Sequence, residues 1–142
     1  MSAVVENSAT QYESYTSART RFRDLLDTAA SGRVVSVNRP SGVIAVLRED
    51  HVRELLAARV GSPVEMVFED GAWAAFIPGL PLAAEASSPD DVVDELISAL
   101  REYAEDWYDH LSTVPNHAAN WPLIEFVGIS SDEQLHAWAT GS

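Results

Sequence analysis

Arginine and carboxylate, the two residue types with most chemical potential here, are sorted into opposite halves of the 142-residue chain. Residues 1–60 hold eight Arg against seven Asp or Glu, a net of +1. Residues 61–142 hold one Arg against fifteen acidic side chains, a net of −14, and +1 with −14 gives the overall −13. A strongly acidic chain is repelled by a phosphate backbone, but here the repulsion belongs to the second half alone. Arg19, Arg21 and Arg23 gather on one predicted helix, and Arg33 and Arg39 border a predicted strand. The planar guanidinium fork can hold a phosphate or a guanine edge with two parallel donors. The first half is thus suited to phosphates and the second to a basic partner. An Arg at a helix start or in a turn is also often only solvated, and the residues alone leave that alternative open.

Catalytic readings of the carboxylates are weak. Asp90, Asp91, Asp94 and Glu95 fall in the opening turns of a predicted helix, where the helix dipole favours hydrated acids. Glu102, Glu105, Asp106 and Asp109 alternate with its apolar positions and form an exposed acidic face that a basic protein could meet. The four histidines, His51, His110, His117 and His136, have no metal-ligand spacing. Glu65, Glu69 and Glu125 do not make the inward-facing strand carboxylates that a ribonuclease H needs. The chain has no Gly-rich phosphate loop, no Gly-x-Ser-x-Gly elbow and no cysteine. These features predict no enzyme, no cofactor and no metal, and the missing cysteine fits a reducing cytoplasm. No apolar run reaches about 18 residues, so no membrane span is expected. Met1 to Glu6 lacks the basic and apolar regions of a signal peptide.

Compact elements must position these groups. Ala18, Phe22, Leu25, Leu26 and Ala29 recur at three and four and line one helix face, with Ser17 as the expected N-cap and Gly32 as the stop. Val34 to Val37 and Val43 to Leu47 read as a hairpin around Asn38 to Gly42, with Pro40 in the turn. Val52, Leu55 and Leu56 give a short helix able to cover one sheet face. So small a unit has little core, which favours dimerisation. Met1 to Gln11 reads as a polar lead-in to a short strand around Tyr12 to Tyr15.

After a short linker at residues 59–63, Val64 to Glu69 and Ala72 to Ile77 form a second predicted hairpin across Asp70-Gly71. Ser88 and Pro89 cap a long helix whose buried stripe is Val92, Val93, Leu96, Ile97, Leu100, Tyr103, Trp107 and Leu111. In the tail, Leu123 to Val127 reads as a short strand, and Ser131 with Gln134 as the capping box of a final helix. Trp138 on that helix suits either an interface anchor or a core residue.

The run Tyr15-Thr16-Ser17-Ala18-Arg19, the Arg in the hairpin turn and the acidic start of the next helix resemble the DNA-binding half of Phd/YefM antitoxins. That resemblance implies a homodimer formed through the sheet of residues 1–60. It also implies operator contacts by Arg19 and Arg39, with Arg23, Ser17 and Tyr15 as further candidates. The second hairpin, the Pro78-Gly79-Leu80-Pro81 exit and the helix from Pro89 resemble the partial RNase H-like domain of HicB antitoxins. A combination of this kind is similar to antitoxins acting on RelE-type toxins. The expected fold is α+β: an α-β-β-α unit over 1–60 with a leading strand, then a small α+β domain over 61–142 in which a hairpin packs on a long helix. The expected function is an antitoxin that neutralises a basic toxin, in particular a RelE-like ribonuclease, and represses its own operon. Asp94, Glu102, Glu105, Asp106, Asp109 and Trp138 are the candidate toxin contacts. The alternatives are a stand-alone regulator with a ligand-sensing or oligomerising second half, an acidic adaptor without DNA binding and, more distantly, a hydrolase.

Overall fold

The computed structural model describes residues 10–141 as a mixed α+β fold with two compact units, Met1–Val52 and Arg53–Ser142. The expected lead-in before Thr10 lies outside the described residues.

In the first unit, β1 (Gln11–Tyr12) runs parallel to β2 (Val35–Arg39), and β2 pairs antiparallel with β3 (Gly42–Val46). The leading strand therefore ends at Tyr12, and Tyr15 is already helical. Ser14, not Ser17, is the N-cap: its hydroxyl accepts from the Ser17 amide at 3.2 Å. The expected single helix is two, α1 (Tyr15–Thr20) and α2 (Phe22–Ala30), broken at Arg21 with φ −115° and ψ 35°. Just before the break, the Thr20 hydroxyl donates back to the Thr16 carbonyl at 2.9 Å; such back-bonding bends helices. Gly32 follows α2 at φ +102°, as a helix stop requires. The hairpin turn narrows to Pro40-Ser41, and Pro40 withholds no ladder bond there. Tyr12, Ala18, Leu25, Ala29, Val35 and Val37 form the core.

The helix α3 (Glu49–Val60) contains the boundary between the two units. Of its expected apolar stripe only Leu56 is buried, while Leu55 stays 64% exposed.

The second unit holds an antiparallel meander of β4 (Glu65–Glu69), β5 (Ala72–Phe76) and β6 (Ala83–Ala86). Asp70 and Gly71 both take positive φ, 52° and 80°, which gives the two-residue turn its twist. The helix α4 (Pro89–Asp106) begins at the Ser88 cap and continues as one π-helical segment, Trp107–Leu111. Its stripe is buried from Val92 to Trp107, with Leu111 half-buried. The short α5 (Pro115–Ala118), α6 (Trp121–Ile129) and α7 (Asp132–Thr140) complete the unit, the last with the expected capping box. The strand expected at Leu123 to Val127 is thus a helix. Pro122 sits in its first turn, where a missing amide costs nothing, and Leu123, Ile124, Phe126 and Val127 are all buried. Both α6 and α7 pack on α4.

Candidate nucleic-acid and partner interfaces

The opening of α1 and the end of β2 bring three of the sequence-selected residues together. The Arg19 guanidinium lies 5.9 Å from the centre of the Tyr15 ring, and that of Arg39 lies 5.2 Å from it. Both distances are within the range at which a ring face attracts a cation. Residues twenty apart in sequence thus present two positive charges around one aromatic platform, and all three are exposed. Ser17 is exposed one turn away, its hydroxyl 3.3 Å from that of Ser14. Arg23 is exposed on α2 but does not join the Tyr15 group. Arg21 is drawn to Asp24 at 3.5 Å. Arg48 is structural: it grips Asp50 with two bonds of 2.9 Å and donates to the Ala30 carbonyl at the end of α2. The Arg48 guanidinium bonded to it holds the Asp50 carboxyl down to about 2.

Beside the Tyr15 group an apolar groove opens between α1, α2 and β3. Phe22, Leu26, Val37, Ile44 and Val46 help to line it, and Tyr15, Arg19 and Arg39 share its wall. Two residues of the expected helix stripe, Phe22 at 56% and Leu26 at 45%, are exposed here, as is Ile44 at 53%. The first unit therefore leaves part of its apolar face uncovered.

The acidic candidates of the second unit share one side of α4. At 3.6 residues per turn, Asp91, Asp94, Glu95, Glu102, Glu105 and Asp106 occupy the arc opposite the buried stripe, and every one is exposed. Asp109 is exposed on the π-helical segment that follows. Asp91 and Glu95, expected only as solvated acids of the opening turns, share the same arc. Trp138 has the packing role that the sequence left open: its indole donates to the Gly61 carbonyl at 2.9 Å, and its ring meets Phe126 edge-on at 5.3 Å. Arg101, the one basic residue after position 60, is turned to structural use. It donates to the Val127 and Ser130 carbonyls at 2.7 and 2.9 Å and to Asp132 at 2.6 Å.

Other polar groups tie the end of α4 to the tail. The Tyr103 hydroxyl lies 2.6 Å from Nδ1 of His117 and accepts from Asn120 at 3.0 Å, while the Trp107 indole donates to the His117 carbonyl. Tyr108 donates to Glu125 at 2.7 Å, which pushes its hydroxyl pKa up to about 12. Among the described residues no cluster of His, Asp or Glu could hold a metal ion, and no helix is long and apolar enough to cross a membrane.

A profile described as "PHD_like: Antitoxin of toxin-antitoxin, RelE / RelB, TA system" matches residues 10–135. The chain belongs to this PHD-like antitoxin family. The match runs through both compact units, so the arginine-bearing and acidic parts fall within one family pattern. A crystal structure from Syntrophomonas wolfei subsp. wolfei, described as the antitoxin part of a proposed toxin/antitoxin system, has a similar fold. The TM-score is 0.76 and the identity 24%, over 90% of this chain and 94% of that one. No curated protein matches the chain significantly. As an antitoxin, this PHD-like chain implies a toxin as its partner.

Proposed function

We propose that this antitoxin has two tasks, divided between its halves. Residues 1–60, the Phd/YefM-like part, form a homodimer that binds operator DNA and represses the antitoxin's own operon. Residues 61–142, the acidic HicB-like part, neutralise a basic toxin, in particular a RelE-like ribonuclease of the cytoplasm.

The grouping of Arg19 and Arg39 around Tyr15 carries the DNA reading. Two guanidinium groups gathered around one ring offer donors for phosphates and for a base edge. The open groove supports the dimer, because a second copy would cover Phe22, Leu26 and Ile44 and set two arginine pairs on one surface. The carboxylate arc of α4 supports the toxin reading: it carries Asp94, Glu102, Glu105 and Asp106, while Arg101 at its edge is engaged by Asp132 and two carbonyls, and long-range attraction of this kind raises association rates.

Replacing Arg19 and Arg39 with Ala should abolish the gel shift of the antitoxin's own promoter at matched salt while leaving toxin neutralisation intact. An unchanged shift would reject the assignment. Neutralisation is read by inducing the small protein encoded beside this gene, with and without the antitoxin. Growth arrest relieved by co-expression supports the reading. A harmless neighbour would favour a stand-alone regulator.

A further inference from the structure

The strand β4 is the outer strand of its sheet, and its far side pairs with no other strand among the described residues. It is also poorly buried on both faces. Glu65, Val67, Phe68 and Glu69 are exposed, with Val67 at 40% and Phe68 at 53%. The register Glu65↔Phe76, Val67↔Ala74 and Glu69↔Ala72, continued by Ala74↔Glu85, sorts the side chains. The buried Ala75, Ile77 and Ala84 mark the face turned inward. The opposite face carries Glu65, Glu69 and Glu85 around Val67, Ala74 and Phe76. No Arg, Lys or His occurs between positions 60 and 100 to balance these glutamates.

An exposed edge with apolar side chains invites another strand, and charge decides which. In an antiparallel pairing of two copies centred on Val67, Glu65 of each would face Glu69 of the other. Like charges directly opposite one another destabilise such a pair, so the edge disfavours its own copy in that register. A basic segment would meet the same carboxylates favourably. We propose that β4 receives an extended basic segment of the toxin by antiparallel strand addition, its cationic side chains falling opposite Glu65 and Glu69. The inference deepens the toxin-binding reading above and rests on it.

The register specifies the segment. A two-residue hairpin turn makes Glu69 and Ala72 a hydrogen-bonded pair, so the backbone groups of Glu69, Val67 and Glu65 point toward β5. Those of Met66 and Phe68 point to the open side. The incoming strand therefore bonds Met66 and Phe68 through its backbone and places apolar side chains beside them and beside Val67. Two basic side chains four residues apart, about 13 Å along a strand, frame these three apolar positions. Backbone bonds would supply affinity and the alternating side chains specificity.

The probe is the capped peptide Ser-Arg-Val-Val-Val-Arg-Ser, titrated against the full chain. The expected result is saturable binding together with slowed hydrogen exchange at the Met66 and Phe68 amides. Binding should weaken about tenfold in Glu65→Gln/Glu69→Gln, as two exposed ion pairs allow, and change little in Glu102→Gln/Glu105→Gln. N-methylation of the first and third valines should abolish binding, whereas N-methylation of the second should not. The inference is overturned by absent binding, by equal binding to the Glu65/Glu69 variant or by indifference to the methylated position. In the growth assay, full rescue by the Glu65/Glu69 variant overturns this inference alone. Failure of the unaltered chain to rescue overturns the toxin-binding reading itself.

Discussion

The two compact units bury their apolar residues to different degrees. The second has a continuous core, in which α4 is flanked by the β5–β6 side of its sheet and by α6 and α7; Leu96, Leu100, Ile124 and Leu135 are at most 1% exposed. The first has a core of six buried side chains, with only Tyr12 large, and leaves Phe22, Leu26 and Ile44 half-open. One unit closes its hydrophobic interior around α4 and leaves the outer strand β4 open. The other is arranged to complete it against something else. Surface chemistry follows the same division: arginines edge the open groove, while carboxylates face away from the closed core.

Core truncation should separate the units most sharply. Leu100→Ala should cost about 2–5 kcal/mol in urea denaturation, because the methyl groups removed leave a cavity that closely packed neighbours cannot close. Phe22→Ala should cost less than about 1 kcal/mol as a monomer, since its side chain is already largely in water. The same variant should shift sedimentation from dimer to monomer; a dimer that survives it would show that the groove is not the contact. Arg101→Met should cost about 1–3 kcal/mol, because the Val127 and Ser130 carbonyls lose a charged donor.

The first unit holds a small defect that the second lacks among the described residues. Among the described residues, the buried Tyr12 hydroxyl has no hydrogen-bond partner. Tyr12→Phe should therefore leave stability unchanged or raise it by up to about 1 kcal/mol, measured as the urea midpoint. A large loss would mean that the hydroxyl has a partner in the dimer.

The smallest expected effects lie at opposite ends of the pH scale. Asp50, in the first unit, is held below its usual 3.8 to about 2, so its ion pair with Arg48 contributes fully above pH about 4 and is lost as pH falls through about 2. Tyr108, in the second, is raised from 10.0 to about 12, so its bond to Glu125 contributes fully below pH about 10 and is lost as pH rises through about 12. Carboxyl carbon shifts for Asp50 and tyrosinate absorbance, compared with Tyr108→Phe, would follow the two titrations. Ordinary midpoints would remove this contrast.

What could be read from the sequence depended on local chemistry. The Asp70-Gly71 turn, the Ser88-Pro89 start of α4 and the Ser131/Gln134 capping box are each encoded by neighbouring residues, and each appears where expected. Leu123 to Val127 misled because a short apolar run fits a buried helix as well as a strand. Pro122 was the available sign of a helix start. The strand β6 went unseen because Ala83-Ala84-Glu85-Ala86 has low strand preference; pairing with β5 and packing on α4 impose its form. Arg19 and Arg39 were selected by position, but their meeting around Tyr15 depends on tertiary structure. Arg101 was missed as a structural residue for the same reason, since the carbonyls it serves lie 26 and 29 positions away.

That placement of Arg101 also governs how the chain meets a protease. Trypsin cleaves after basic residues, and beyond Arg59 this sequence offers it Arg101 alone. The bond there lies inside α4, with the side chain pinned to two carbonyls and a carboxylate. Native digestion should accordingly trim the arginine-rich half and leave a durable fragment running from Glu54 or Val60 to Ser142. Unfolding would expose Arg101 and cut that fragment in two, so one band on a gel would report whether the acidic half is still folded.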